Sequence, residues 1–253
     1  MRLAKPRVDI GLNTNNLEPM LTFWQNEVGL AFDHVLPIRK GMQQHRHDAL
    51  GSVVKINHYA EALPETPPSG YAELLVARPG LIAAQNLRDP DGNQVTLVPP
   101  GSFGVRQIGI RVRVRALTSH RRFYSEALGL TEESVPIGAS FRAGETLLLL
   151  EESSQAPSDA TMEGRGWRYI TFQVFKVDED HARVLAQGGR EALKPVTLGT
   201  TARISMVRSR RQLDRTIAAR LHHRFAGVAG SRLLKDGHAT HRGIRPGTLG
   251  GSL

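Results

Sequence analysis

The 253-residue chain contains no cysteine. That absence excludes disulfides, thiolate metal sites and cysteine nucleophiles. Long hydrophobic runs are missing too, and the longest, such as Leu147 to Leu150, are far too short to span a bilayer. The stretch Met1-Arg2-Leu3-Ala4-Lys5-Pro6 offers no apolar segment for a signal peptide, so a cytoplasmic location without a membrane partner is expected. Acidic residues are outnumbered, with 24 Asp and Glu against 33 Lys and Arg and a formal charge of +9. From Ser209 onward nine Lys and Arg face only Asp214 and Asp236, so this tail carries +7 and the rest of the chain +2. Basic tails can bind nucleic acid through phosphate contacts. This one lacks interleaved aromatics and any recognisable binding motif, so nucleic acid is not an expected partner.

A hydrophobic content of 40% is sufficient for real cores, and a repeat says how many. Ile10-Gly11-Leu12, Leu17, Phe23-Trp24 and Val28-Gly29-Leu30 return as Ile108-Gly109-Ile110, Leu117, Phe123-Tyr124 and Leu128-Gly129-Leu130. The offset is 98 at the first glycine and 100 at the aromatic pair, so the second copy holds two more residues in the strand-to-helix loop. In Val8 to Asn13 apolar residues alternate with polar or small ones, the period of a half-buried strand. Asn16 is the expected N-cap, and Leu17, Met20, Leu21, Trp24 and Val28 then recur at helical spacing up to Gly29. Strands over Ala31 to Leu36, Met42 to His47 and Ser52 to Asn57 complete a β-α-β-β-β unit.

The pattern continues with Gln107 to Val112, a helix from Thr118 to Leu128, Ser134 to Ile137, and Phe141 with Leu147 to Leu150. A further unit opens at Tyr169 to Val174, runs through a helix from Asp178 to Gln187, and reaches Ala202 to Val207. Tyr71 to Val98 reads as an abbreviated unit whose helix is reduced to a turn around Arg78-Pro79-Gly80. Pro64 to Ser69 and Ser153 to Gly164 are polar linkers.

With these repeated strand and helix starts, the Val28-Gly29-Leu30 and Leu128-Gly129-Leu130 helix ends and the Asp89-Pro90-Asp91-Gly92-Asn93 turn, residues 7 to 208 resemble the vicinal oxygen chelate superfamily. That group includes glyoxalase I, extradiol dioxygenases, methylmalonyl-CoA epimerase and the fosfomycin and bleomycin resistance proteins. The resemblance implies an α+β fold of paired β-α-β-β-β modules forming cupped mixed sheets around a small-molecule site. It divides the chain into two similar domains, 1–100 and 101–208, followed by the tail 209–253, and it is compatible with a homodimer.

The resemblance also implies metal ligands at the start of each module's first strand and on the last strand, His or Gln with Glu. Those first-strand positions are Asp9, Glu73, Gln107 and Tyr169, and the last-strand carboxylate falls at Thr96, a poor ligand. Gln43, His45 and His47 alternate along one strand and put both imidazoles on one face, with Lys55 and Asn57 on the next strand. A divalent metal (Fe, Mn, Ni or Zn) would then be held by Asp9, His45, His47 and Glu73, with His45, His47 and Glu73 catalytic. Arg46, Lys55, Asn57, Gln107, Arg111 and Tyr169 would contact substrate. Such an enzyme would be of the glyoxalase or extradiol dioxygenase type. The alternative is a polar strand face without metal, in a binding protein of the bleomycin-resistance type.

After Ala202 to Arg208 a second Asp-Pro-Asp-Gly-Asn turn is due, but the chain reads Ser209-Arg210-Arg211-Gln212-Leu213-Asp214-Arg215. Those residues can be coded TCC CGA CGG CAA CTG GAT CGA. One nucleotide later, with the A of Thr216, the same bases read Pro-Asp-Gly-Asn-Trp-Ile-Glu. A frameshift near Arg208-Ser209 is therefore expected, leaving residues 209–253 a poorly ordered, out-of-frame tail and the second domain without its last strand.

Overall fold

The computed structural model describes residues 1–134, 138–157, 160–199, 202–209 and the backbone of 216–221. The first module consists of β1 (Asp9–Thr14), α1 (Leu17–Thr22) running into a π-helical turn (Phe23–Glu27), β2 (Ala31–Arg39), β3 (Met42–Ala49) and β4 (Ser52–Tyr59). The second is β5 (Tyr71–Ala77), β6 (Gln85–Arg88) and β7 (Gln94–Val98), with a turn at Gly80 in place of a helix. The third holds β8 (Ile108–Val114), α2 (Leu117–Arg122) with its π-helical turn (Phe123–Ala127), β9 (Thr131–Glu133), β10 (Ala139–Ala143) and β11 (Thr146–Glu152). The fourth is β12 (Gly166–Gln173), α3 (Val177–Ala186), β13 (Arg190–Leu198), β14 (Ala202–Arg208) and β15 (Thr216–Leu221).

The repeat extends to hydrogen bonds. The Val28 N–H reaches Phe23 O at 3.0 Å, and the Leu128 N–H reaches Phe123 O at 3.0 Å, so both helices end in the same widened turn. Gly29 and Gly129 follow with φ of +70° and +67°, a left-handed step that glycine takes without a Cβ penalty. The widened turn carries an edge-to-face pair inward in each copy: Phe23 with Trp24 at 5.4 Å, and Phe123 with Tyr124 at 5.6 Å. Asn16 does occupy the N-cap position, but its side chain makes no capping bond, and its N–H is taken by Thr14 Oγ1.

The eight-stranded sheet has the order β13-β14-β15-β12-β1-β4-β3-β2, and the seven-stranded sheet β6-β7-β5-β8-β11-β10-β9. At the centre of each, two first strands pair antiparallel, β1 with β12 and β8 with β5, and each is flanked in parallel by the last strand of its own module. Modules one and four thus share one sheet, and modules two and three the other. The sequence halves 1–100 and 101–208 each contribute to both sheets. One core takes Ile10, Leu12 and Val54 from the first sheet, Ile108, Ile110 and Leu148 from the second, and Trp24 and Tyr124 from the helices.

The last-strand slot of the fourth module was expected to be empty, yet Thr216–Leu221 lies there between β12 and β14. Residues 210–215 and 222–253, the rest of the expected out-of-frame tail, lie outside the described residues. Among the described residues no helix is long and apolar enough to cross a membrane.

Candidate functional site

Strand alternation turns Ile10 and Leu12 into the core and Asp9, Gly11 and Asn13 to the opposite face of the eight-stranded sheet. Register sets Lys55 beside Gly11 and Asn57 beside Asn13, with Thr171 opposite Asp9 and Tyr169 opposite Gly11. Gly11 is required by a close approach, because a Cβ there would stand 2.2 Å from the Tyr169 ring. Lys55 Nζ donates to Thr171 Oγ1 at 2.9 Å and pairs with Asp9 Oδ2 at 3.2 Å. Asp9 also accepts from Lys5 Nζ at 2.7 Å and the Val53 N–H at 3.0 Å. Beside this cluster, Gln44 Nε2 and Asn57 Nδ2 donate to the Tyr169 hydroxyl at 3.2 and 3.1 Å.

These groups are buried, which governs their charge. Burial works to raise the Asp9 carboxyl, but Lys55 and Lys5 outweigh it and hold the group below the usual carboxylate range. Burial lowers Lys55 to about 8 against the pull of Asp9, and burial lifts Tyr169 to about 12 although Asn57 opposes it. The face is a closed, densely hydrogen-bonded network.

His45 and His47 do not join it. They pair across from Ile56 and Val54, on the helix side of the sheet, while Gln44 and Arg46 take the face expected for the imidazoles. The cause is the two-residue turn between β3 and β4, where Leu50 and Gly51 have φ of 56° and 87°, pairing Ala49 with Ser52 and fixing the parity of both strands. His47 Nε2 lies 3.2 Å from Gln25 Nε2, and its ring meets Phe32 edge-on at 5.6 Å. Burial, then His45, depresses His47 to about 4, and burial, then His58, depresses His45.

Glu73 lies on β5 of the seven-stranded sheet, and Gln107 stands immediately before β8. Arg111 Nε donates to Glu73 at 2.7 Å, and the Thr96 hydroxyl lies against the same carboxylate and 2.9 Å from Asn86 Oδ1. Gln107 is fully engaged elsewhere: its amide donates to Ala49 O at 2.7 Å and Ser52 Oγ at 2.8 Å, and its oxygen accepts from Thr146 at 3.2 Å. Val105, in the link between modules two and three, packs with Leu75, Ala77, Val98, Leu147 and Leu149 and fills one end of this face. The other end stays open as a cleft of about 560 Å³ whose lining includes Glu73, Arg88, Gln94, Arg111, Arg113 and Trp167.

The four expected metal ligands therefore stand in three places: Asp9 on one face of the eight-stranded sheet, His45 and His47 on its other face, and Glu73 in the second sheet. Among the described residues no three His, Cys, Asp or Glu come together as a metal cluster. Each expected carboxylate is already held by a cation, Asp9 by Lys5 and Lys55 and Glu73 by Arg111. A donor set closed by ammonium and guanidinium groups does not fit a divalent ion. Of the expected substrate contacts, Arg46, Lys55, Asn57 and Tyr169 share the closed face, and Arg111 alone lines the cleft. Arg88, Arg113 and Trp167 went unforeseen; the alternation of Gly109, Arg111 and Arg113 along β8 was the available signal.

Two cupped sheets of paired β-α-β-β-β modules around a small-molecule-sized cleft define a class, and the comparisons agree with it. Residues 106–214 match the model of the Glyoxalase/Bleomycin resistance protein/Dioxygenase superfamily. The crystal structure of glyoxalase I from Zea mays superposes with a TM-score of 0.68 at 14% identity, covering 87% of this chain and 92% of that one. A mutant of the same maize enzyme gives 0.67 at 13% identity, covering 87% of this chain and 93% of that one. At such identity the likeness is one of fold. No match to a curated protein was found.

Proposed function

We propose that this chain binds a small molecule in the cleft of the seven-stranded sheet without a resident divalent metal, in the manner of the bleomycin-resistance class rather than of a glyoxalase or extradiol dioxygenase. One observation carries the reading. The carboxylates at the expected ligand positions are each paired with a basic side chain, while the cleft beside Glu73 remains open. A volume of about 560 Å³ lies within the range of small-molecule sites.

The functional groups that remain are positional. Glu73, itself held by Thr96, keeps Arg111 in place beside the opening. The test is elemental analysis of the purified protein after incubation with Fe, Mn, Ni or Zn and exhaustive dialysis. Substoichiometric metal in every case is expected. One tightly held ion per chain, lost on Glu73→Gln, would overturn the reading and restore the metal enzyme.

A further inference from the structure

We infer that the ligand of this cleft carries an oxyanion, a carboxylate or a phosphate, received by the Arg111 guanidinium; the inference rests on the cleft being the ligand site. Arg111 engages Glu73 through Nε, and its two Nη groups make no hydrogen bond among the described residues. That pair of parallel N–H donors is the fork that matches a carboxylate or phosphate edge. Trp167 borders the same cleft, and its ring packs edge-on against buried Trp24 at 5.6 Å in the core.

Charge points the same way. The cleft is lined by Arg88, Arg111 and Arg113 against Glu73 and Glu151, an excess of one positive charge. Glu73 already faces Arg111, and Glu151 faces Arg113 at 3.9 Å, so no carboxylate is left to attract a cation. Pro68, Tyr71 and Pro157 add apolar wall, which suits an organic body behind the anionic head. A small organic acid or phosphate ester fits this lining, and a neutral or cationic molecule does not.

The experiment is calorimetric titration of the full chain with benzoate, phenyl phosphate and the neutral benzyl alcohol, read together with Trp fluorescence. Saturable binding of at least one anion, with benzyl alcohol weaker by about tenfold or more, is the expected result. Arg111→Met should reduce anion affinity by at least about tenfold, and Arg111→Lys, which keeps the charge but loses the fork, by an intermediate factor. Tighter saturable binding of phenyl phosphate than of benzoate, with inorganic phosphate displacing both, would assign the head group to phosphate. Equal binding of benzyl alcohol and the anions would overturn the oxyanion and leave the cleft as a ligand site. No saturable binding by any of the three would remove the cleft reading and this inference with it.

Discussion

Gly11 is small because Tyr169 lies across it. Its Gly11→Ala variant should lose about 1–3 kcal/mol, since the added methyl meets the ring and the strand cannot shift without breaking two ladders. Chemical denaturation checks this, and the combination with Tyr169→Leu should recover part of the loss. Lys55 and Asp9 form a second testable pair. Asp9 keeps Lys5 when Lys55 is removed, whereas neutralising Asp9 strands buried Lys55, so Asp9→Asn should cost about 3–5 kcal/mol, with recovery in the Asp9→Asn, Lys55→Met double variant. His47 sets a pH dependence. Its folded value is about 4 against 6.5 for a solvent-exposed imidazole, so between those limits the unfolded chain binds the extra proton. The contribution is complete above pH 6.5 and is lost as pH falls toward 4, with buried His45 and His120 acting in the same direction. Thermal unfolding across that range should show the decline, and His47→Phe should flatten it.

Elements were legible where the signal is local. The helix ends at Gly29 and Gly129, the abbreviated second module and its turn before Gly80 all follow from spacing and glycine. The face of β3 did not, because its parity is set by a turn whose first central residue is Leu50 at φ of 56°, a conformation no leucine advertises. That single step moved His45 and His47 out of the site and Gln44 and Arg46 into its place. The frameshift near Arg208-Ser209 remains a proposal at this scale. Sequencing the coding DNA tests it: an unbroken reading frame in the source genome would rule it out. A restored frame should yield a chain with higher thermal stability, because an Asp-Pro-Asp-Gly-Asn turn would then deliver the last strand as it does before β7.

At the level of the molecule, the missed feature was which modules pair. Strand periodicity reports which face is buried and is silent about the neighbour, so two halves of about 100 residues looked like two domains. The observed pairing of β1 with β12 and β5 with β8 makes each half dependent on the other. Fragments 1–100 and 101–253 expressed separately should each remain largely unprotected against hydrogen exchange, and mixing them should restore protection at β1, β5, β8 and β12. Independent folding of either fragment would contradict this.

That pairing has a consequence for how the two cups differ. If the same contacts were made between two identical shorter chains, a two-fold axis would force both cups to be copies, and any change helping one would be imposed on the other. Joining the halves in one polypeptide removes the constraint. One cup is then free to become a stabilising strut through the Lys55 ammonium and the Tyr169 ring, while its twin keeps an opening beside Arg111.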